Sequence, residues 1–188
     1  MYGLVNQGVK DLVLNKFGEE TWQSICDEAG LKSDRFLRMK SYPDDVTYSL
    51  VGAASKVLEL SPEDILIAFG RHWVLFTAQG GYGDLFDMAG DNLFDFLHQL
   101  DELHTRVKLN FPELRTPSFR CTDVKASSLR LEYHSHRDGL SALVVGLLHG
   151  LSDRFQTPLD VTHEVKREDT GTHDIFFVSL TEPPGGAK

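Results

Sequence analysis

The hydrophobic period of the chain first changes between Pro112 and Pro117, and that change narrows the folds open to it. Before Pro112 apolar residues recur every three or four positions, the spacing of a helix with one buried face. Residues 19–29 do so through Trp22, Ile25 and Cys26, and residues 45–58 through Leu50, Val51, Ala54, Val57 and Leu58. Ser61-Pro62-Glu63-Asp64 reads as a helix start, with a capping hydroxyl, a proline pre-set for the first turn and acids at the positive end of the dipole. The helix it opens, 65–76, is apolar nearly all round, so it is expected to be buried on more than one side. After Pro117 the period is two: Leu129, Leu131, Tyr133, Ser135 and Arg137 alternate with Arg130, Glu132, His134 and His136, as in a half-buried strand. A helical pattern follows through Leu140, Leu143, Val144, Leu147 and Leu151, then strand patterns at 159–165 and 175–180. These elements predict an α+β fold: an N-terminal helical subdomain over about 1–110, then a small antiparallel sheet with one helix packed across it over about 111–182.

A length of 188 residues suits one domain, expected over 1–182, and the 41% hydrophobic and 25% charged content is that of a soluble globular protein. Residues 183–188, rich in Pro and Gly, read as a flexible tail. No internal repeat or low-complexity segment is present. A formal net charge of −9 without a Lys/Arg cluster argues against nucleic acid, because phosphate binding needs a basic patch. Cys26 and Cys121 lie far apart with no C-x-x-C spacing, which argues against a disulfide framework and a structural zinc site and fits a reducing cytoplasm. The opening MYGLVNQGVKDLV lacks the basic then apolar pattern of a signal peptide, and no segment reaches the ~18–20 apolar residues of a membrane span.

One residue breaks the helical pattern. Over residues 91–108, Leu93, Leu97, Leu100, His104 and Val107 share a face, so His104 carries an imidazole towards the core. An unpaired ring there costs a few kcal/mol and must find a hydrogen bond or a metal. A hydrogen bond to a carbonyl is the commoner solution for a lone histidine. Spacing does not single out His104 either, since His72 shares a stripe with Ile65, Phe69 and Phe76. The strand supplies a second anomaly: along its inward face Leu129 and Leu131 give way to Tyr133, Ser135 and Arg137. Two hydroxyls and a guanidinium make a clamp for a carboxylate or phosphate; the alternative is a structural network with Arg137 paired to Asp44 or Asp45. A histidine in an apolar face and a carboxylate clamp are together what haem requires, with its one axial iron position and two propionates.

The chain resembles the haem nitric oxide/oxygen binding domains, which include the haem domains of soluble guanylate cyclases and free-standing bacterial relatives. The likeness runs through MYGLVN, FGEETW, YPDD, LDELH around His104, TPSFRCTD around Pro117, and YHSHRDGL from Tyr133 to Leu140. It covers essentially the whole chain, and the Y-x-S-x-R triad with its distant histidine is intact. The resemblance implies haem b between the two subdomains, with His104 as the proximal iron ligand and Tyr133, Ser135 and Arg137 on the propionates. It also puts Pro117 against the porphyrin and Val5, Trp73 and Leu143 around the distal side. Leu143 stands where some oxygen-binding members carry a tyrosine. The function implied is a cytoplasmic nitric oxide sensor, not an enzyme, that also binds carbon monoxide. It would regulate a histidine kinase or a cyclic-nucleotide enzyme, since no kinase or cyclase motif follows. The alternatives are an oxygen-binding sensor, or a metal hydrolase using His72 or the His134/His136 pair. The second lacks an H-E-x-x-H-like pattern. His134, His136 and His149 are expected on a solvated surface, His98, His163 and His173 show no metal spacing, and Cys121 is given no role.

Overall fold

The computed structural model describes residues 1–168 and 171–181; the tail expected at 183–188 lies outside them. Seven helices come first among these residues: α1 (Gly3–Phe17), α2 (Glu19–Glu28), α3 (Asp44–Leu58), α4 (Pro62–Thr77), α5 (Gly83–Asp87), α6 (Leu93–His98) and α7 (Leu100–Lys108). A π-helical turn, Ala78–Tyr82, joins α4 to α5, with Gly81 at φ 97°. Strands β1 (Ser118–Thr122) and β2 (Ser128–His134) follow, then α8 (Ser141–Phe155), β3 (Leu159–Glu168) and β4 (Gly171–Leu180). All strand pairs are antiparallel, in the order β1-β2-β4-β3. The fold is therefore α+β, helices first and then a four-stranded antiparallel sheet with α8 against it.

Local chemistry sets several boundaries. Ser61 caps α4 by accepting from the Asp64 N–H at 3.0 Å, as its sequence signature predicts. Gly18, at φ 84°, lets the chain turn from α1 straight into α2. No separate helix is expected from the pattern of residues 3–17, yet α1 is there. It buries Leu4, Asn6, Gly8, Val9, Leu12 and Val13 on several faces, so no single apolar stripe marks it.

Two sequence expectations need correction. The pattern at 91–108 is not one helix: it breaks at Gln99 (φ −95°, ψ 3°), so Leu93 and Leu97 belong to α6 while His104 belongs to α7. The strand expected to carry Tyr133, Ser135 and Arg137 ends at His134. There the pairing runs out, since β1 begins at Ser118 opposite His134. Ser135 and Arg137 thus lie in the turn before α8, which frees them from strand alternation.

Helix α8 lies between the sheet and α4. Val144, Leu148 and Leu151 pack with Leu129, Leu131, Phe176 and Val178 of the sheet, while Leu140 joins a second core built from α1 to α4. The α4–α8 crossing is close enough to need glycine on both helices. A Cβ at Gly70 would collide with the Leu143 carbonyl, and one at Gly146 with the Ile67 carbonyl. Because backbone would have to move, Gly146→Ala is expected to destabilise the protein by about 3 kcal/mol, the upper end for overpacking. That lowers the thermal midpoint by roughly 6–12 °C. An unchanged melting curve by circular dichroism would show that the crossing is looser than described.

Candidate functional site

A cavity of about 290 Å³ lies where the helical part meets the sheet and α8. Its wall is mostly apolar and takes in Val5 from α1, Trp73 from α4, His104 from α7, Pro117 before β1, Tyr133 from β2, Ser135 and Arg137 after it, and Leu143 from α8. The side chains singled out in the sequence therefore share one wall, although they come from distant parts of the chain.

His104 projects from α7 with its ring tilted against Phe119, 5.8 Å between centroids. Its Nδ1 is enclosed and has no hydrogen-bond partner. Burial pushes the imidazolium down, opposed by the Asp101 carboxylate, with Lys108 lowering it further and a hydrogen bond to the Pro117 backbone raising it. The ring is thus held neutral, the form in which histidine binds a metal. Asp101, one turn earlier on α7, accepts from the Ser118 hydroxyl and the Phe119 N–H, both at 2.8 Å. It pins the histidine's helix to β1 beside Pro117. Sequence reasoning passed over Asp101; its signal is an acid in the first turn, three residues before His104.

Tyr133 is 4% exposed, with its ring 5.2 Å from that of Phe119, the ring that His104 also packs against. Burial pushes its phenol up, while a hydrogen bond with Ser135 lowers it. The Ser135 hydroxyl accepts from the Arg137 N–H at 3.0 Å. Arg137 forks onto Asp44, Nε to Oδ2 at 2.7 Å and Nη2 to Oδ1 at 3.3 Å, and Nη1 donates to the Arg115 carbonyl at 2.9 Å. The pairing with Asp44 is the structural network that the sequence left open. Three of the five guanidinium N–H donors are in use, which leaves two for a second carboxylate. Asp44 also accepts from the Met1 amino group at 2.5 Å.

Arg137 holds the Asp44 carboxyl down, from 3.8 to about 2; burial opposes this and the Met1 amino group adds to it. A depressed carboxylate contributes stability that is complete above its unfolded pKa and disappears as pH falls through the folded one. The expected loss thus lies between about pH 4 and pH 2. Asp44→Asn should flatten the fall in thermal midpoint across that window, and equal slopes for the two proteins would contradict the pairing.

The distal candidates differ in what they offer. Val5 and Leu143 carry no donor. The Trp73 ring packs against Phe69 and Phe76, 5.7 and 5.9 Å between centroids, and Gly8 makes room for it. Its indole N–H has no hydrogen-bond partner among the described residues. His72 is not on the cavity wall; it pairs with Asp11 at 2.8 Å and stacks on Phe76. His134 and His136 are exposed as expected, but His149 is half-buried, because α8 is covered on two sides. Among the described residues no three metal-ligating side chains gather, which leaves the hydrolase reading without a ligand set.

An apolar cavity with a histidine whose enclosed Nδ1 is unpartnered and a tyrosine-serine-arginine rim defines a haem-binding class of site. The chain belongs to the haem-NO-binding (H-NOX) family, whose model, described as "Haem-NO-binding", matches residues 2–163. Haem is accordingly its cofactor. The residues fit that group: an enclosed ring nitrogen awaits a partner, and Arg137 already holds one carboxylate and has donors left for another.

The chain is 33% identical over 195 residues to the soluble guanylate cyclase gcy-35 of Caenorhabditis elegans, across 97% of this chain and 28% of that protein. It is 29% identical over 198 residues to gcy-32 of the same organism, across 97% and 29%. It therefore spans under a third of the length of these relatives. Its fold is that of an H-NOX protein from S. oneidensis solved in the Fe(II)NO state, with a TM-score of 0.86, 22% identity, and 97% and 100% of the two chains covered. The unliganded Fe(II) protein from K. algicida is similar, with a TM-score of 0.83, 21% identity and both chains covered completely. No helix among the described residues is long and apolar enough to cross a membrane.

Proposed function

We propose that this chain is a nitric oxide sensor rather than an enzyme, acting in the cytoplasm on a partner signalling protein. The observation that carries the reading is the enclosed, unpartnered Nδ1 of His104, on an apolar wall shared with Tyr133, Ser135 and Arg137. In this reading His104 supplies the proximal iron ligand, and the tyrosine, serine and arginine hold the propionates. Pro117 presses on the porphyrin face, and Val5, Trp73 and Leu143 form the distal pocket. When bound, haem would supply the iron at which nitric oxide or carbon monoxide binds, with His104 as the protein's ligand to it.

His104 and Asp101 share α7, so a change in how His104 is held would reach β1 and the Pro117 segment through the Asp101 contacts to Ser118 and Phe119. Two packings of one core then change in population, which is what a switch requires. The partner is a histidine kinase or a cyclic-nucleotide enzyme; the guanylate cyclase relatives, much longer than this chain, support the second. The uncommitted indole N–H of Trp73 favours one rival, an oxygen-binding sensor.

The clamp is tested by haem transfer to an acceptor protein. Arg137→Ala should release haem faster than Ser135→Ala, because a charge-assisted bond contributes roughly 1.5–3 kcal/mol against about 1 for a neutral one. Equal rates for the wild type and both variants would place the propionates elsewhere.

A further inference from the structure

Two histidines that the haem site does not use lie ring to ring on the sheet. The register of β2 on β4 ends with Tyr133 opposite Asp174, and the next residues along the two strands are His134 and His173. Their imidazoles stack at 4.5 Å between centroids with 26° between planes. His173 is 6% exposed, whereas His134 is open to solvent. Neither ring has a hydrogen bond or ion pair among the described residues. Alternation along β2 puts Tyr133 on the cavity side and His134 on the opposite face.

Neither ring nitrogen of His173 is both enclosed and unpaired, so the edge of this ring can be reached from solvent although the residue is 6% exposed, and beside it lies a second imidazole that water can reach. Directly opposed residues of an antiparallel pair have Cα atoms ~4.5–5.5 Å apart, a separation at which two imidazoles can converge on one ion. Neutral imidazole suits zinc, copper and nickel. We propose that His134 and His173 chelate a divalent transition-metal ion of this group, at a site separate from the haem.

The near-parallel planes direct the two sets of lone pairs side by side, so the exposed His134 ring turns to close the chelate, a rotation that its solvated side leaves open. No third metal-ligating side chain joins them among the described residues, and water completes the coordination. Lys166 stands opposite His173 on β3. A bound ion ties β4 to the last residue of β2, immediately before Ser135.

The test is a zinc titration of the haem-loaded full chain, held ferrous under carbon monoxide, at a pH about one unit above the ordinary imidazole pKa. Long-range proton–nitrogen spectra report each histidine ring. The ring signals of His134 and His173 should shift together, saturate at one zinc per chain and return on addition of a chelator. His134→Gln should abolish the saturating step and leave the haem absorption unchanged, while His98→Gln should leave zinc binding intact. Zinc that shifts other histidines but not this pair would overturn the proposal, as would saturable binding that survives His134→Gln.

Discussion

His104→Gly protein should fold with its helices intact and fail to retain haem, because one ring nitrogen is the protein's only bond to the iron in this account. Removing an outer partner of a metal ligand typically costs about 10–100-fold in affinity, and removing the ligand itself should exceed that. The substitution empties space on a mostly apolar wall and removes one ring from α7, so far-UV circular dichroism should change little. Added imidazole can enter that space and should restore the ferrous spectrum. An unchanged spectrum in the variant without imidazole would move the ligand elsewhere. His72 would be the next candidate, although its ring is engaged by Asp11 away from the cavity.

That contrast shows what the sequence could and could not carry. His72 and His104 are equivalent by spacing; only the tertiary fold brings Asp11 to the first and leaves the Nδ1 of the second enclosed and unpartnered. The division into helices and sheet was legible because the hydrophobic period shifts from helical to strand-like between Pro112 and Pro117. Helix α1 was not marked, because a segment buried on several faces has no stripe. The break at Gln99 and the end of β2 at His134 follow from packing and from where the partner strand begins, neither of which a periodic pattern encodes. Tyr133, Ser135 and Arg137 stood out as polar residues on an apolar face; all three line the cavity, although Ser135 and Arg137 are not in the strand. The choice between Asp44 and Asp45 as partner for Arg137 needed the structure. So did the role of Asp101, which is invisible until β1 is laid beside α7.

The second large effect concerns which gas is retained. Iron-bound oxygen carries substantial negative charge and is held by a hydrogen-bond donor, whereas nitric oxide binds ferrous haem tightly in an apolar pocket. Leu143 and Val5 offer no donor on the cavity wall. Leu143→Tyr is therefore expected to confer oxygen affinity that the parent lacks. A hydrogen bond to a charged acceptor contributes roughly 1.5–3 kcal/mol, equivalent to about a 10- to 150-fold gain. Oxygen titration of the ferrous variant beside the parent reads it directly, and no gain would mean that the new hydroxyl does not face the ligand. Trp73 is the competing donor. Its ring is fixed between Phe69, Phe76 and Gly8, so its N–H has little freedom to turn towards a ligand.

The central claim, a nitric oxide sensor with His104 on the iron, is tested most directly by the visible absorption spectrum of the ferrous protein, recorded first in air and then with nitric oxide in the absence of oxygen. The account predicts that air produces no stable oxygen-bound spectrum, while nitric oxide shifts the spectrum to that of a haem no longer bonded to histidine. A stable change in air, abolished by Trp73→Phe, would contradict it and make the protein an oxygen binder.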